Sequence, residues 1–237
     1  FFSRKIAKST ERYKMQNRFE NVEIEEALKR EHATLVAQWS EGRIVTRPDG
    51  TILSDILDGE TLCRRVRELG LERCDQYCVR SHDAADAICR EFGLHGQMPC
   101  VQAVYLKKQP PELAPCDIRP LGQEYAEFLA AHYHPEQNNL DYLRDRIACG
   151  RMWGLFDNGT LAGFIGMHDE GSMGLLEILP EYRRRGYGYL LEGSLIRLHL
   201  ERGWVPFCHV VEGNDASMRL QEKLGMTFSE LPAIWVF

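Results

Sequence analysis

Pro180-Glu-Tyr-Arg-Arg-Arg-Gly-Tyr-Gly-Tyr-Leu-Leu191 is the stretch on which the reading of this chain turns. It holds R-x-x-G-x-G as Arg183, Gly186 and Gly188, after a strand pattern at 174–179 and before a helix pattern at 187–202. Glycine lets the backbone turn tightly and come close to a ligand. The first N–H groups of the helix lack acceptors within it, and the helix dipole favours an anion beside them. Arg183, Arg184 and Arg185 add positive charge at the same place. The stretch therefore reads as a pyrophosphate cradle. No Gly-Lys-Ser/Thr closes it, so it is not a Walker loop. It also lacks the G-x-G-x-x-G spacing of a dinucleotide fingerprint. The competing reading is a basic turn that caps a helix.

Downstream, a strand at 207–211 leads into Asn214-Asp-Ala-Ser-Met-Arg-Leu-Gln-Glu-Lys-Leu-Gly-Met226. Asn214 suits an N-cap, and Ser217 lies one turn later. Ala216, Leu220 and Leu224 are expected to face the core, Gly225 to end the helix, and 233–237 to form a last strand. Upstream, Asp157-Asn-Gly159 is a hairpin turn between strands at 151–156 and 160–167. Helices at 124–133 and 140–149 and a strand at 117–121 come before it. Lys107-Lys-Gln-Pro-Pro-Glu-Leu-Ala-Pro115 has three prolines in nine residues, which marks a semi-extended linker.

Ahead of the linker, apolar spacing predicts a helix over 17–41, then the turn Arg47-Pro-Asp-Gly50 and a strand at 51–53. A helix at 58–69 stops at Gly70. A strand at 76–79, a helix at 83–92 stopped by Gly93, and a strand at 101–106 follow. An offset of 132 residues carries Gly93 onto Gly225, His82 onto Asn214, Ile88 onto Leu220 and Tyr105 onto Phe237. The pattern is a strand–helix–strand unit used twice; the alternative is that two such units merely look alike. The predicted organisation is a flexible segment at 1–16, an N-terminal domain at 17–106, a linker at 107–116 and a catalytic domain at 117–237. The predicted class is α/β, with a mixed, twisted central sheet flanked by helices.

The 237 residues carry a net charge of −6, which argues against nucleic acid as the main partner. No apolar run is long enough to span a membrane. The eight cysteines form no dense framework, so they read as reduced thiols in a cytoplasmic protein. His132-Tyr-His134-Pro-Glu136 has no third ligand at metal spacing and reads as a loop near the acceptor. Trp153 and Trp235 lie on strands and read as core.

Taken in order, the two helix-bearing motifs of 117–237 resemble the GNAT superfamily of acyl-CoA-dependent N-acyltransferases. Leu179-Pro-Glu-Tyr-Arg183, with Cys208-His-Val210, also looks like the glycine N-acyltransferase branch. The resemblance implies that Leu179, Arg183, Arg184, Arg185, Gly186, Tyr187, Gly188 and Tyr189, with Asn214 and Ser217, hold acetyl-CoA or another acyl-CoA. It implies that strand 174–179 pairs with the pantetheine arm and splays from strand 207–211, with the thioester at the opening. The acceptor would then be a small primary amine and no metal would be used. The chain would work as a monomer or homodimer.

A base must relieve the ammonium of its proton. Glu177 is the odd residue of an apolar strand, so a partnered structural carboxylate and a catalytic one are both open readings. His209 stands where some family members carry a carboxylate base. The branch's base Glu falls at Ser172, with Glu170 nearby. The family's Tyr acid for the leaving thiolate falls at Gln221, so either the thiolate leaves unprotonated, another group such as Tyr187 or Tyr189 helps, or activity is low. On the 132-residue offset, Arg183, Gly186 and Gly188 fall on Thr51, Ser54 and Ile56, so the N-terminal copy has no cradle and reads as a degenerate, acyltransferase-like half. Two further readings stand beside the enzyme: an acyl-CoA-binding module without catalysis, and a protein-modifying acetyltransferase.

Overall fold

A computed structural model describes residues 19–134 and 139–237; the expected flexible segment at 1–16 lies outside them. The long helix expected over 17–41 is replaced by a short helix α1 (Val22–Lys29) and a hairpin of β1 (Thr34–Trp39) and β2 (Gly42–Thr46). Gly42 makes the turn with φ of 144°, a left-handed value that a side chain rarely takes, and its missing Cβ leaves room for Ile56. The apolar residues of 33–39 had fitted a helical period, but their β-branched and aromatic members also suit a strand, and pairing with β2 decides between the two.

The chain forms two compact units. Unit 1 takes residues up to Val104, then His209–Asp215 and Thr227–Phe237; unit 2 takes Tyr105–Cys208 and Ala216–Met226. The chain thus leaves unit 1 near the expected boundary at 106 and returns to it twice, which the expected single break at 107–116 did not anticipate.

Unit 1 continues with β3 (Ile52–Ser54), α2 (Gly59–Glu68), β4 (Tyr77–Val79), α3 (His82–Phe92) and β5 (Gln97–Val104). Asp58 and Ser81 cap α2 and α3 by accepting from Thr61 N–H and Ala84 N–H. Strands β1, β2 and β3 are antiparallel; β3 and β4 are parallel, in register at Ile52–Tyr77 and Leu53–Cys78. Two strands from the far end of the sequence complete the unit: β11 (Thr227–Phe228) pairs with β5, and β12 (Ala233–Val236) lies between β4 and β5, antiparallel to both. Ile234 and Val236 join Ile44, Ile52, Leu62, Tyr77 and Ile88 in a fully buried core.

Arg80 is completely buried in unit 1. Its guanidinium donates to Gln102 Oε1 (3.3 Å), Ser229 Oγ (3.0 Å) and the Leu231 carbonyl (3.2 Å), with Glu23 3.6 Å away. Burial pushes the Glu23 carboxyl up, and the Arg80 charge opposes that rise.

Unit 2 starts with β6 (Asp117–Pro120), α4 (Ala126–His132) and α5 (Leu140–Ala148). Then come β7 (Met152–Asp157), β8 (Thr160–Met167) and β9 (Met173–Ile178). Helix α6 (Tyr187–Glu201), strand β10 (Phe207–Val211), which crosses into unit 1, and α7 (Asp215–Leu224) follow. Strands β6 to β9 form an antiparallel meander, and β10 then pairs with β9 in parallel at Cys208–Met173. Leu129, Leu143, Ile147, Met152, Phe164 and Leu175 pack between α4, α5 and the sheet.

Each unit thus repeats one plan, an antiparallel meander ending in a parallel pair. Left-handed glycines recur at matching places: Gly70 and Gly203 (φ 69° and 70°), and Gly93 and Gly225 (φ 75° and 76°). The copies differ where it matters. In unit 1 the parallel strands are in register at two positions, whereas β9 and β10 share one.

Candidate active site

The cradle begins where β9 ends. A single 3-10 turn, Pro180–Tyr182, leads to Arg183 in extended conformation, then to left-handed Arg184 (φ 62°) and Gly186 (φ 83°). Alternating hand in consecutive residues curls the backbone into an anion-binding concavity. Gly186 is the N-cap of α6, and no side chain caps the helix. The first helical bond runs from Leu190 N–H to the Gly186 carbonyl, so the N–H groups of Tyr187, Gly188 and Tyr189 have no helical acceptor.

The glycines meet two different needs. Gly186 supplies the left-handed turn; a Cβ there would meet nothing within 4 Å. A Cβ on Gly188 would lie 3.5 Å from Leu220 and 4.0 Å from Ile178, ordinary contact distances. Packing therefore does not demand glycine at 188, and its bare Cα leaves the helix start open to a ligand. This fits a diphosphate held by main-chain N–H groups.

The arginines divide their work. Arg183 donates through Nε to the Ile178 carbonyl and through Nη2 to Glu177 Oε1, both at 2.9 Å. Arg185 donates to the Glu181 carbonyl (3.0 Å) and to Asp157 (3.3 Å). Arg184 is exposed and has no ion pair among the described residues, which leaves its charge available to an incoming anion. Tyr187 donates its hydroxyl to Asp157 Oδ2 at 2.8 Å, and that bond pushes its phenol up. Its proton is thus committed to the hairpin, and Tyr187 is a poor acid for a thiolate. Tyr189 instead lies 5.1 Å below the Lys223 ammonium of α7. Leu179 is buried, and Ser217 is half-buried at the start of α7.

Glu177 is half-buried and paired with Arg183, the arrangement of a partnered structural carboxylate, one of its two open readings. Tyr133 of the α4 end lies near it: burial first, and the Glu177 charge second, push the Tyr133 phenol up.

His209 falls in unit 1 and bonds there. The indole N–H of Trp235 donates to its Nδ1 (3.2 Å), and its Nε2 faces Gln102 Oε1 (3.3 Å). An indole nitrogen only donates, so Nδ1 must accept and Nε2 must carry the proton. Taking up a second proton would cost the Trp235 bond, which argues against His209 as the base. Asn214 also falls in unit 1, exposed, immediately before α7. Ala216, expected in the core, is exposed. His132 bonds its own helix at the Phe128 carbonyl, and no metal-binding group occurs among the described residues.

Two contributors went unnoticed in the sequence. Asp157 read as a turn residue, yet it clamps Arg185 and Tyr187. Glu192 is buried on α6, and Gln221 donates to it at 3.0 Å. Burial raises the Glu192 carboxyl to about 7, with the hydrogen bonds from Gln221 and Cys208 holding the rise back. Its helical position matches the buried Leu195, Ile196 and His199, which was the available signal.

A β-meander, a parallel pair in register at one position, and a glycine-opened helix start make up a GNAT fold. Residues 152–236 match the family model of the FR47-like proteins. A Drosophila protein solved by structural genomics is 21% identical, with a TM-score of 0.59 over 82% of this chain and 73% of that one. A GNAT-family acetyltransferase from Colwellia psychrerythraea is 16% identical, with a TM-score of 0.54 over 83% and 80%. A GCN5-related N-acetyltransferase from Kribbella flavida is 12% identical, with a TM-score of 0.54 over 87% and 89%. No curated protein matches the chain by sequence. Among the described residues no helix is long and apolar enough to cross a membrane.

Proposed function

We propose that this protein is an acyl-CoA-dependent N-acetyltransferase that acts on a small primary amine. The observation that carries the proposal is the start of α6, where three main-chain N–H groups lack helical acceptors beside a glycine that packing does not require. The backbone of 186–189 and Arg184 hold the diphosphate. Asp157 fixes the loop through Arg185 and Tyr187, and Glu177 fixes it through Arg183. In the transfer the amine nitrogen bonds the acyl carbon, the C–S bond breaks, the amine loses a proton and the thiolate departs. Acceptor side chains would come from the α4–α5 side of β9, where Tyr133 stands by Glu177.

Thermal unfolding with acetyl-CoA, longer acyl-CoAs, free CoA and NADH, then release of free CoA in the presence of an amine panel, tests the proposal. A ligand at 100 times its Kd adds about 2.7 kcal/mol, which shows as an upward shift. A shift with CoA compounds and not NADH, with amine-dependent CoA release, is the expected result. Gln221 is spent on Glu192 and supplies no acid for the thiolate, which favours a second reading, CoA binding without turnover. Binding with no CoA release from any amine would establish that one instead.

A further inference from the structure

We propose that His168, held by Tyr142 and seated over Gly174, is the base that removes the proton from the attacking amine, given the acyltransferase reading above. His168 begins the tight turn between β8 and β9: its N–H bonds the Ser172 carbonyl at 2.9 Å, and Gly171 N–H bonds its own carbonyl at 3.1 Å. The imidazole Nδ1 lies 2.8 Å from the Tyr142 hydroxyl of α5, and the two rings stack at 6.1 Å. Its other edge lies against β9, and a Cβ on Gly174 would sit 2.4 Å from Nε2. The strand therefore gives up a side chain at 174 to admit this nitrogen.

The place is unusual in its backbone as well. Leu175, next to Gly174, is left-handed with φ of 53°, and the β8–β9 register slips between Phe164 and Gly166. A bulge with a strained non-glycine residue is a feature that collects at reactive sites. It falls two residues after Met173, the register partner of Cys208 on β10.

The other ionisable groups around His168 are engaged. On its own turn, Asp169 pairs with Arg146 of α5, and Glu170, buried, accepts from the Ser172 hydroxyl. Arg146 also lies over the Tyr142 ring at 5.3 Å. Elsewhere, Glu177 is tied to Arg183 and His209 to Trp235 and Gln102. His168 is half-buried and offers Nε2 toward β9 on the side covered by α5.

In the proposed step Nδ1–H donates to the Tyr142 oxygen and Nε2 carries the lone pair. As the new N–C bond forms and the C–S bond breaks, the amine proton passes to Nε2. The electron pair of the C–S bond leaves on sulfur, and the imidazolium later releases its proton to solvent. Tyr142 accepts from Nδ1–H in both states, which makes it a positioning residue.

The test uses the whole chain with acetyl-CoA and the best amine from the panel. His168→Ala should lower kcat about 100-fold or more and leave the acetyl-CoA shift intact, because general bases contribute roughly 10²–10⁴-fold. Added imidazole should restore at least tenfold of the loss. Tyr142→Phe should lower kcat less and leave the KM for acetyl-CoA unchanged. In the wild-type protein, ¹⁵N NMR should find His168 protonated at Nδ1. If His168→Ala is unstable, His168→Gln and the NMR tautomer decide. Turnover that survives either variant, loss in a folded variant that imidazole does not rescue, or a proton on Nε2 overturns the role of His168 alone. A wild-type protein that binds acetyl-CoA and acylates no amine overturns the acyltransferase reading and this role with it.

Discussion

Burial lifts the Glu192 carboxyl from 4.5 to about 7, so between those values the folded protein keeps a proton that the unfolded chain has released. Stability from this group is therefore complete below about pH 4.5 and is lost as the pH rises through about 7. The full swing is about 3 kcal/mol at 1.36 kcal/mol per pKa unit. Glu192→Gln should raise the melting temperature at pH 8 by several degrees and flatten its decline between pH 5 and 8. Parallel curves for the two proteins would show that Glu192 does not titrate in this window. Glu177 makes a second prediction. Its pair with Arg183 is partly exposed and is worth at most about 1 kcal/mol, so Glu177→Gln should weaken acetyl-CoA binding up to about fivefold. A fall in kcat with unchanged affinity would restore Glu177 as the base. Gly188→Trp should remove acetyl-CoA binding altogether, while unchanged affinity would place the diphosphate elsewhere. Much of the cradle was legible at this scale, because glycine and arginine at fixed spacing carry their own geometry. Which side chains were already spoken for was not legible. Trp235 binding His209, and Gln221 binding Glu192, join residues far apart in sequence.

Among the elements, the helices with a capping residue and a terminal glycine were readable to within a residue or two. Those over 58–69 and 83–92 are α2 and α3, ended at Gly70 and Gly93. The hairpin of β1 and β2 was not, since its turn rests on one glycine between two amphipathic runs. Gly42→Ala would force a left-handed alanine and push Cβ to 2.8 Å from Ile56, so a loss of about 1–3 kcal/mol is expected from chemical denaturation. No loss would mean that the turn takes a different shape. The parallel pairs separate the two copies functionally. β3 and β4 are zipped at Ile52–Tyr77 and Leu53–Cys78, which leaves no gap for an extended arm. The segment between β3 and α2 that stands where the cradle would lie is Asp55-Ile-Leu-Asp58, with no arginine or glycine, whereas the 132-residue offset places it on Thr51, Ser54 and Ile56, at and around β3. Absence of the cradle was visible in the sequence; closure of the strands required the pairing.

For the molecule as a whole, the order of elements pointed to the fold, and the match over 152–236 agrees with it. The chain's path did not show, because strand partners are chosen by facing edges and buried side chains rather than by nearness in sequence. β12 fills the space between β4 and β5 and buries Ala233, Ile234 and Val236 completely. A chain ending at Met226 should therefore lose protease resistance first within 19–104, far from the cut. Cleavage confined to unit 2 would contradict the pairing of β12.

The same strand sets a schedule for biosynthesis. When β5 leaves the ribosome, β4 and β5 are both in place with the edges that will receive β12 still unpaired. Ala233–Val236 emerges more than a hundred residues later, on the order of ten seconds at ~5–20 residues per second. The first half of the nascent chain therefore cannot close as it is made. For that interval it exposes two apolar strand edges, and a holding chaperone or a neighbouring polysome chain can meet them before their own partner arrives.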